Sequence, residues 1–281
     1  MNIPYSPYSE TLQLAARSAI ERAEAIVELV RTAGFQSIEN LSAQFGVTPQ
    51  TIRRDVNSLC DRGLLRRRHG GVDVPNNGEN LAYTMRQVLH IDAKRSIARR
   101  VAHEVPENAS LFFGIGTTPE QCALALAEHS QLRVMTNNIN VAVALSSNPH
   151  CEITLAGGRI RNLDQDVVGS EAHSFFGRFS ADIGIYGVAG VAEDGTLLDF
   201  SSDEVHMRTE LTNHCRQRFL VLDHSKFGRS ATVRGGHITD ASVVFTNKPI
   251  AQELENQLHE AGVRLIICSD PLLPRNFRRS G

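Results

Sequence analysis

Ala23, Ile26, Val27 and Val30 recur at i, i+3, i+4 and i+7, which predicts a helix over about residues 19–33 that ends at Gly34. Ser37 reads as the N-cap of a second, short helix carrying Ile38, Leu41 and Phe45 on one side and closed by Gly46. Thr48-Pro49 then reads as an N-cap followed by proline at the first helical position, where a missing N–H costs nothing. The third helix separates by angle. At about 100° per residue from Gln50, Ile52, Val56 and Leu59 fall near 200°, 240° and 180°, and Gln50, Arg53, Arg54 and Asn57 near 0°, 300°, 40° and 340°. One face is aliphatic; the other holds two arginines and two amides. The stretch LLRRRHGGV that follows suits a short β-wing turning at Gly70-Gly71.

The pattern changes after a polar, Asn/Pro/Gly-rich stretch at residues 73–80 that reads as a linker. Residues up to about 92 are equally compatible with linker or helix, and a helix with Ile97, Val101 and Val105 facing inward comes next. Short apolar runs at 111–113, 132–136, 152–156, 182–188, 218–223, 242–246 and 264–268 then alternate with amphipathic stretches. That alternation predicts an α/β domain built on a mainly parallel sheet. The domain boundaries expected are 17–74 for a winged helix-turn-helix, 75–91 for a linker and 92–270 for the α/β domain.

Charge distribution adds to this picture. Residues 17–72 hold nine Lys/Arg against six Asp/Glu, whereas residues 73–281 hold twenty against twenty-four. A basic head on a mildly acidic body suggests a module for a polyanion joined to one for a ligand or for assembly. Arg53, Arg54, Gln50 and Asn57 can bond base edges in a major groove. Thr48 and Thr51 stand where a helix N-terminus meets phosphate, and Arg66, Arg67, Arg68 and His69 lie along the wing as backbone contacts. The five cysteines are scattered singly, which argues against a disulfide framework or structural zinc and fits a reducing cytoplasm. The first residues show neither a basic nor an apolar signal region, and no run approaches a membrane span, so a cytoplasmic protein without membrane contact is expected.

In parallel sheets small ligands bind beyond the carboxyl ends of the strands. Gly114, Gly116, Thr117 and Thr118 follow the first strand and open a helix whose free N–H groups favour an anion. Thr136, Asn137 and Asn138 follow the second, and Gly157, Gly158 and Arg159 the third. Lys226, after the strand at 218–223, can act as a point charge for phosphate. Polar or glycine-rich loops after four strands point to a phosphorylated small molecule.

The run TPQTIRRDVNSLCDRGLLRRRHGG resembles the winged helix-turn-helix of the DeoR family of bacterial transcription regulators. IGTTPE, TNNINVA, LAGGRIR, DGTLLDF, Glu204-Val205 and DHSKFGR resemble that family's effector domain, which is similar to ribose-5-phosphate isomerase. The resemblance implies a repressor of carbohydrate or polyol catabolism that works as a homodimer or homotetramer on double-stranded operator DNA, without a cofactor. It implies release by a phosphorylated polyol or sugar, glycerol 3-phosphate foremost, with Glu204 among the effector contacts. Two positions depart from the family pattern: Gly114 stands where an Asp is usual, and Arg208 where a Lys is often found.

A sugar-phosphate isomerase on the same scaffold is the rival reading. It needs a general base in the cleft. Residues 187–190, Gly-Val-Ala-Gly, match the place where isomerases carry aspartates and hold no acid, which leaves Glu204 and Asp223 as candidates. A nucleic-acid binder without any effector is a third reading. The eleven histidines show no spacing that compels a metal site.

Overall fold

The computed structural model describes residues 19–61, 64–73 and 83–268, which divide into two units at Leu89/His90. In the first, α1 (Ala19–Ala33) buries Ile26, Val27 and Val30. A short strand β1 (Gln36–Ser37) leads into α2 (Ile38–Phe45). Ser37 caps α2, its hydroxyl accepting from Asn40 N at 3.0 Å, and Gly46 ends it in the left-handed region at φ 63°. Helix α3 (Pro49–Asp61) buries Ile52, Val56 and Leu59 against the same core as α1 and α2. Residues 62 and 63, which follow α3, lie outside the described residues.

The wing is a hairpin of β2 (Arg66–Arg68) and β3 (Gly71–Asp73), and β3 also pairs with β1. Gly71 is needed there because a Cβ would stand 2.1 Å from the Gln36 carbonyl oxygen. Helix α4 (Tyr83–Val88) occupies part of the stretch expected to be linker, with Tyr83 buried; residues 74–82 lie outside the described residues.

The second unit opens with α5 (Ile91–Glu104) and contains a seven-stranded sheet. In chain order its strands are β4 (Ser110–Phe113), β5 (Arg133–Thr136), β6 (Glu152–Leu155), β9 (Ala181–Tyr186), β12 (Cys215–Leu222), β14 (Val243–Thr246) and β15 (Arg264–Ile267). All seven correspond to the apolar runs of the sequence, and all pair in parallel. The inner strands read as apolar runs because both their faces are covered, whereas the edge strands β6 and β15 are partly exposed. The period of two assigns alternate residues to opposite faces: Leu111 and Phe113 pack with α5 residues Ile97 and Val101, whereas Phe112 packs with Phe176 and Leu211.

The spatial order is β15-β14-β12-β9-β4-β5-β6. The chain therefore moves outward from β4 toward one edge, then returns to start again at β9 toward the other. Three connections complete the unit on the carboxyl side of this sheet: α6 (Thr117–Ala125) after β4, α7 (Ile139–Leu145) after β5, and the hairpin β7 (Arg159–Arg161) and β8 (Asp166–Val168) after β6. The one-turn helix α8 (Ser170–His173) precedes β9. A small antiparallel sheet of β10 (Gly190–Val191), β11 (Thr196–Asp199) and β13 (Val233–His237) flanks α9 (Ser202–Asn213), and α10 (Gln252–Glu260) precedes β15.

Ile52 is fully buried and lies opposite the exposed face of α3. Ile52→Ala should therefore lower the stability of the first unit by about 2–5 kcal/mol without touching an exposed polar group. Ser37→Ala should cost about 1 kcal/mol. Urea unfolding of the two variants against the parent measures both.

Candidate functional site

Two surfaces hold the candidate residues, one in each unit. On α3, Gln50, Arg53, Arg54 and Asn57 are all exposed and line one shallow groove with Ser58 and Asp61. The Thr48 hydroxyl accepts from Thr51 N at 3.2 Å and lies 3.0 Å from the Thr51 hydroxyl, so both threonines shape the helix start. Asp55 lies off this face, where its carboxylate binds Arg22 of α1 at 2.7 Å and ties the two helices together. On the wing, Arg66, Arg67, Arg68 and His69 are exposed; Arg68 pairs with Asp73 across the hairpin at 2.9 Å and Arg67 with Asp61 at 3.6 Å. Exposed pairs of this kind contribute little to stability and separate readily.

In the second unit a small cavity of about 20 Å³ opens beyond the carboxyl ends of β4, β5 and β9. This is where the strand order reverses, the place at which open α/β sheets leave a crevice. Of the residues expected there, Gly114, Asn137 and Glu204 line it. The sequence reading missed Phe176, Tyr186, Asp199 and Met207, and noted Arg208 without giving it a role in the site.

The loop after β4 is fixed by hydrogen bonds. Gly114 N donates to Ile185 O at 2.9 Å, extending the β4–β9 ladder by one residue. Asn138 donates through Nδ2 to the Gly114 and Gly116 carbonyls at 3.4 and 3.3 Å, and its Oδ1 caps α7. Thr136 donates to Phe113 O at 2.9 Å and accepts from Asn138 N at 3.0 Å. Gly116 is left-handed at φ 111°, and the N-terminal α6 residues Thr117 and Thr118 are buried. Gly157, Gly158 and Arg159 are exposed at the start of the β7–β8 hairpin and do not line the cavity. Lys226 is half-buried in a single turn after β12, likewise off the cavity lining. The buried Asp223 carboxyl beside it is held below its ordinary range: burial opposes this, but Lys226, His90 and Lys94 outweigh it.

Ion pairs join the hairpin to α9. Arg161 binds Asp166 through two bonds of 2.9 and 2.7 Å, reaches Glu204 Oε1 at 3.0 Å and lies 3.6 Å from Asp164. Burial alone would weaken the guanidinium's charge, but these carboxylates raise its pKa instead. Glu204 Oε2 accepts from Phe200 N at 3.1 Å, and burial together with the neighbouring Asp199 raises its carboxyl above the ordinary range despite Arg161. Asp199 accepts from Ala189 N at 3.1 Å and from Arg208 Nη2 at 2.8 Å. Arg208 gives its other contact to the Gly235 carbonyl. A signal for Arg161 was present in RNLDQD: read as a hairpin, it pairs Arg161 with Asp166 in register. Among the described residues no group of His, Cys, Asp or Glu could hold a metal ion, and no helix is long and apolar enough to cross a membrane.

Comparison with known proteins covers both units. A DeoR-like helix-turn-helix domain matches residues 22–77, and a DeoR C terminal sensor domain matches residues 89–248. The chain is 40% identical over 248 residues to the glycerol-3-phosphate regulon repressor of Escherichia coli (strain K12), covering 88% of this chain and 98% of that one. It is 41% identical over 248 residues to the repressor of the same name from Haemophilus influenzae, covering 88% and 96%. Ribose 5-phosphate isomerase A of Methanocaldococcus jannaschii superposes with a TM-score of 0.36 at 12% identity, over 49% of this chain and 54% of that one. A likeness so distant carries no weight.

Replacing Arg161 with Met would leave Asp166 and Glu204 buried without their cation. The expected loss at pH 8 is about 3–5 kcal/mol. A carboxyl whose folded pKa is raised stabilises the fold when protonated and loses that contribution as pH rises through the folded value. The deficit of the variant should therefore shrink toward pH 4.5, which denaturant titrations at the two pH values would measure.

Proposed function

Because the chain belongs to the DeoR family of transcription regulators, we propose that it represses a polyol catabolic regulon and leaves its operator when glycerol 3-phosphate or a close relative binds. The observation that carries this reading is the pairing, on one chain, of an exposed amide-and-arginine face on α3 with a polar cavity at the reversal point of the second unit's sheet. Two repressors named for the glycerol-3-phosphate regulon, similar over 88% of the chain, support the choice of regulon.

In this reading Arg53, Arg54, Gln50 and Asn57 read base edges in the major groove. Thr48, Thr51, Arg66, Arg67, Arg68 and His69 hold the phosphate backbone, releasing counterions as they do so. The effector's anionic group meets the N-terminus of α6 at Gly116, Thr117 and Thr118, where the helix dipole favours negative charge. Lys226, at the same end of the sheet, adds a positive charge. Self-association joins the reading heads, so that two half-sites are engaged at a high effective concentration. Exposed apolar side chains at Leu124 and Val143 on α6 and α7, and at Leu155 on the edge strand β6, support an interface between copies of the chain. Operator and effector then weaken each other's binding by the same factor.

Arg53→Ala should cost about 1–3 kcal/mol of operator affinity and relax base choice at one position. Arg67→Ala should weaken all sequences alike and reduce the salt slope by about 1. Gel-shift titrations over a range of salt separate the two, and full affinity in both variants would remove α3 and the wing from the interface. Lys226→Ala should keep operator affinity and respond to glycerol 3-phosphate only at raised concentration; an unchanged response would take that residue out of the effector site.

A further inference from the structure

The polar side chains that line the cavity in the second unit are Asn137, Tyr186, Asp199, Glu204 and Arg208, and three of these five are acceptors. Arg208 gives Nε and Nη2 to Asp199 and Nη2 also to the Gly235 carbonyl. Asp199 and Glu204 each accept from a backbone N–H and from an arginine, and a carboxylate with two oxygens has room for further donors. Asn137 is the decisive group. Its side chain is 1% exposed, Nδ2 donates to Val167 O at 3.2 Å, and Oδ1 has no partner in the chain.

The bond to Val167 fixes which way the amide faces, because turning it would set two carbonyl oxygens against each other. The residue is held a second time where Val167 N donates to the Asn137 carbonyl at 2.8 Å. A rigid, buried acceptor is thus held at a cavity that the Asp199 and Glu204 carboxylates also line. A phosphate dianion carries acceptors and negative charge, and beside Asp199 and Glu204 it would be repelled. A hydroxyl brings the proton that Oδ1 lacks.

We propose that this cavity receives the hydroxyl-bearing, uncharged end of the effector, with Asn137 Oδ1 accepting from one hydroxyl and Asp199 and Glu204 available to a second. The phosphate then stays at the mouth, toward Gly116 and Thr118. The assignment rests on the phosphorylated-effector reading above and adds an orientation to it. It also makes the site selective for polyols, since an analogue lacking the hydroxyl leaves a buried acceptor unpaired.

The test is calorimetric titration of the full chain with glycerol 3-phosphate, 1,2-propanediol 1-phosphate, n-propyl phosphate, inorganic phosphate and glycerol. Affinity should fall about tenfold or more on removal of the contacted hydroxyl. Asn137→Leu, similar in volume, should lose the penalty for removing the one hydroxyl that Asn137 contacts, to within about threefold, and keep that for the hydroxyl held by Asp199 and Glu204. The ligand series on the parent protein decides the matter even if that variant fails to fold. Equal binding of glycerol 3-phosphate and n-propyl phosphate would overturn the hydroxyl assignment and leave a phosphate site standing. Binding of glycerol with no gain from its phosphate would uphold the hydroxyl contact and overturn the phosphorylated effector. Absence of binding by every compound would overturn both.

Discussion

β4 and β9 lie side by side and parallel, yet the chain leaves them for opposite halves of the sheet. Everything at the candidate effector site depends on that divergence. The connections after the two strands cannot close over one another, so a crevice remains between them. The structure limits its size with fixed bonds. Gly114 continues the ladder to Ile185, Asn138 ties down the carbonyls of Gly114 and Gly116, and Thr136 holds the end of β4. These contacts satisfy backbone groups that would otherwise be buried without partners. They also mean that Thr136 and Asn138 set the shape of the loops around the cavity.

The crevice is then crossed by charge. Arg161 and Arg208 each engage carboxylates that are nearly inaccessible to solvent. Ion pairs so placed are weak sources of stability, because desolvation offsets most of the attraction, but removing one partner is costly. Their effect here is positional. Arg161 links the β7–β8 hairpin to α9, and Arg208 links α9 to the start of the small antiparallel sheet through Asp199 and Gly235. Helix α9 is thereby held from both sides, and the cavity keeps its acceptors in fixed places.

Much of this architecture was legible along the chain, for physical reasons. Strands covered on both faces must be apolar throughout, so inner strands appeared as runs such as LFF, and the partly exposed edge strand β15 still showed as RLIIC. Helix α3 is covered on one side only, so its 3.6-residue period separated Ile52, Val56 and Leu59 from the exposed polar face. The order of strands was not legible, since it depends on pairing between residues such as Leu111 and Ile183, far apart in sequence. For the same reason the cavity's far wall stayed hidden: Phe176, Tyr186 and Asp199 come from segments whose neighbours are set by the fold alone. The β7–β8 and β10–β11 hairpins have only two to four residues per strand, too short to display alternation. Helix α4 lies within the stretch read as linker, where Tyr83 and Leu89 are the buried residues that the composition of residues 73–80 drew attention away from.

A regulator needs more than a cavity, because a ligand shifts an equilibrium only by its differential affinity for two arrangements. The bonds around Asn137 bear on where such a difference can arise. Its side chain and its carbonyl both hold Val167, so a ligand that draws on Oδ1 acts on β8 directly. β8 carries Asp166, Asp166 holds Arg161, and Arg161 holds Glu204 on α9. A ligand with one hydroxyl on Asn137 and a second on Glu204 would close this loop of contacts from the inside; a ligand bound only at the α6 N-terminus would not touch it. If the effector lies as proposed, phosphate binding alone is a poor signal, because the uncharged end alone reaches the side chains whose partners extend across the hairpin to α9.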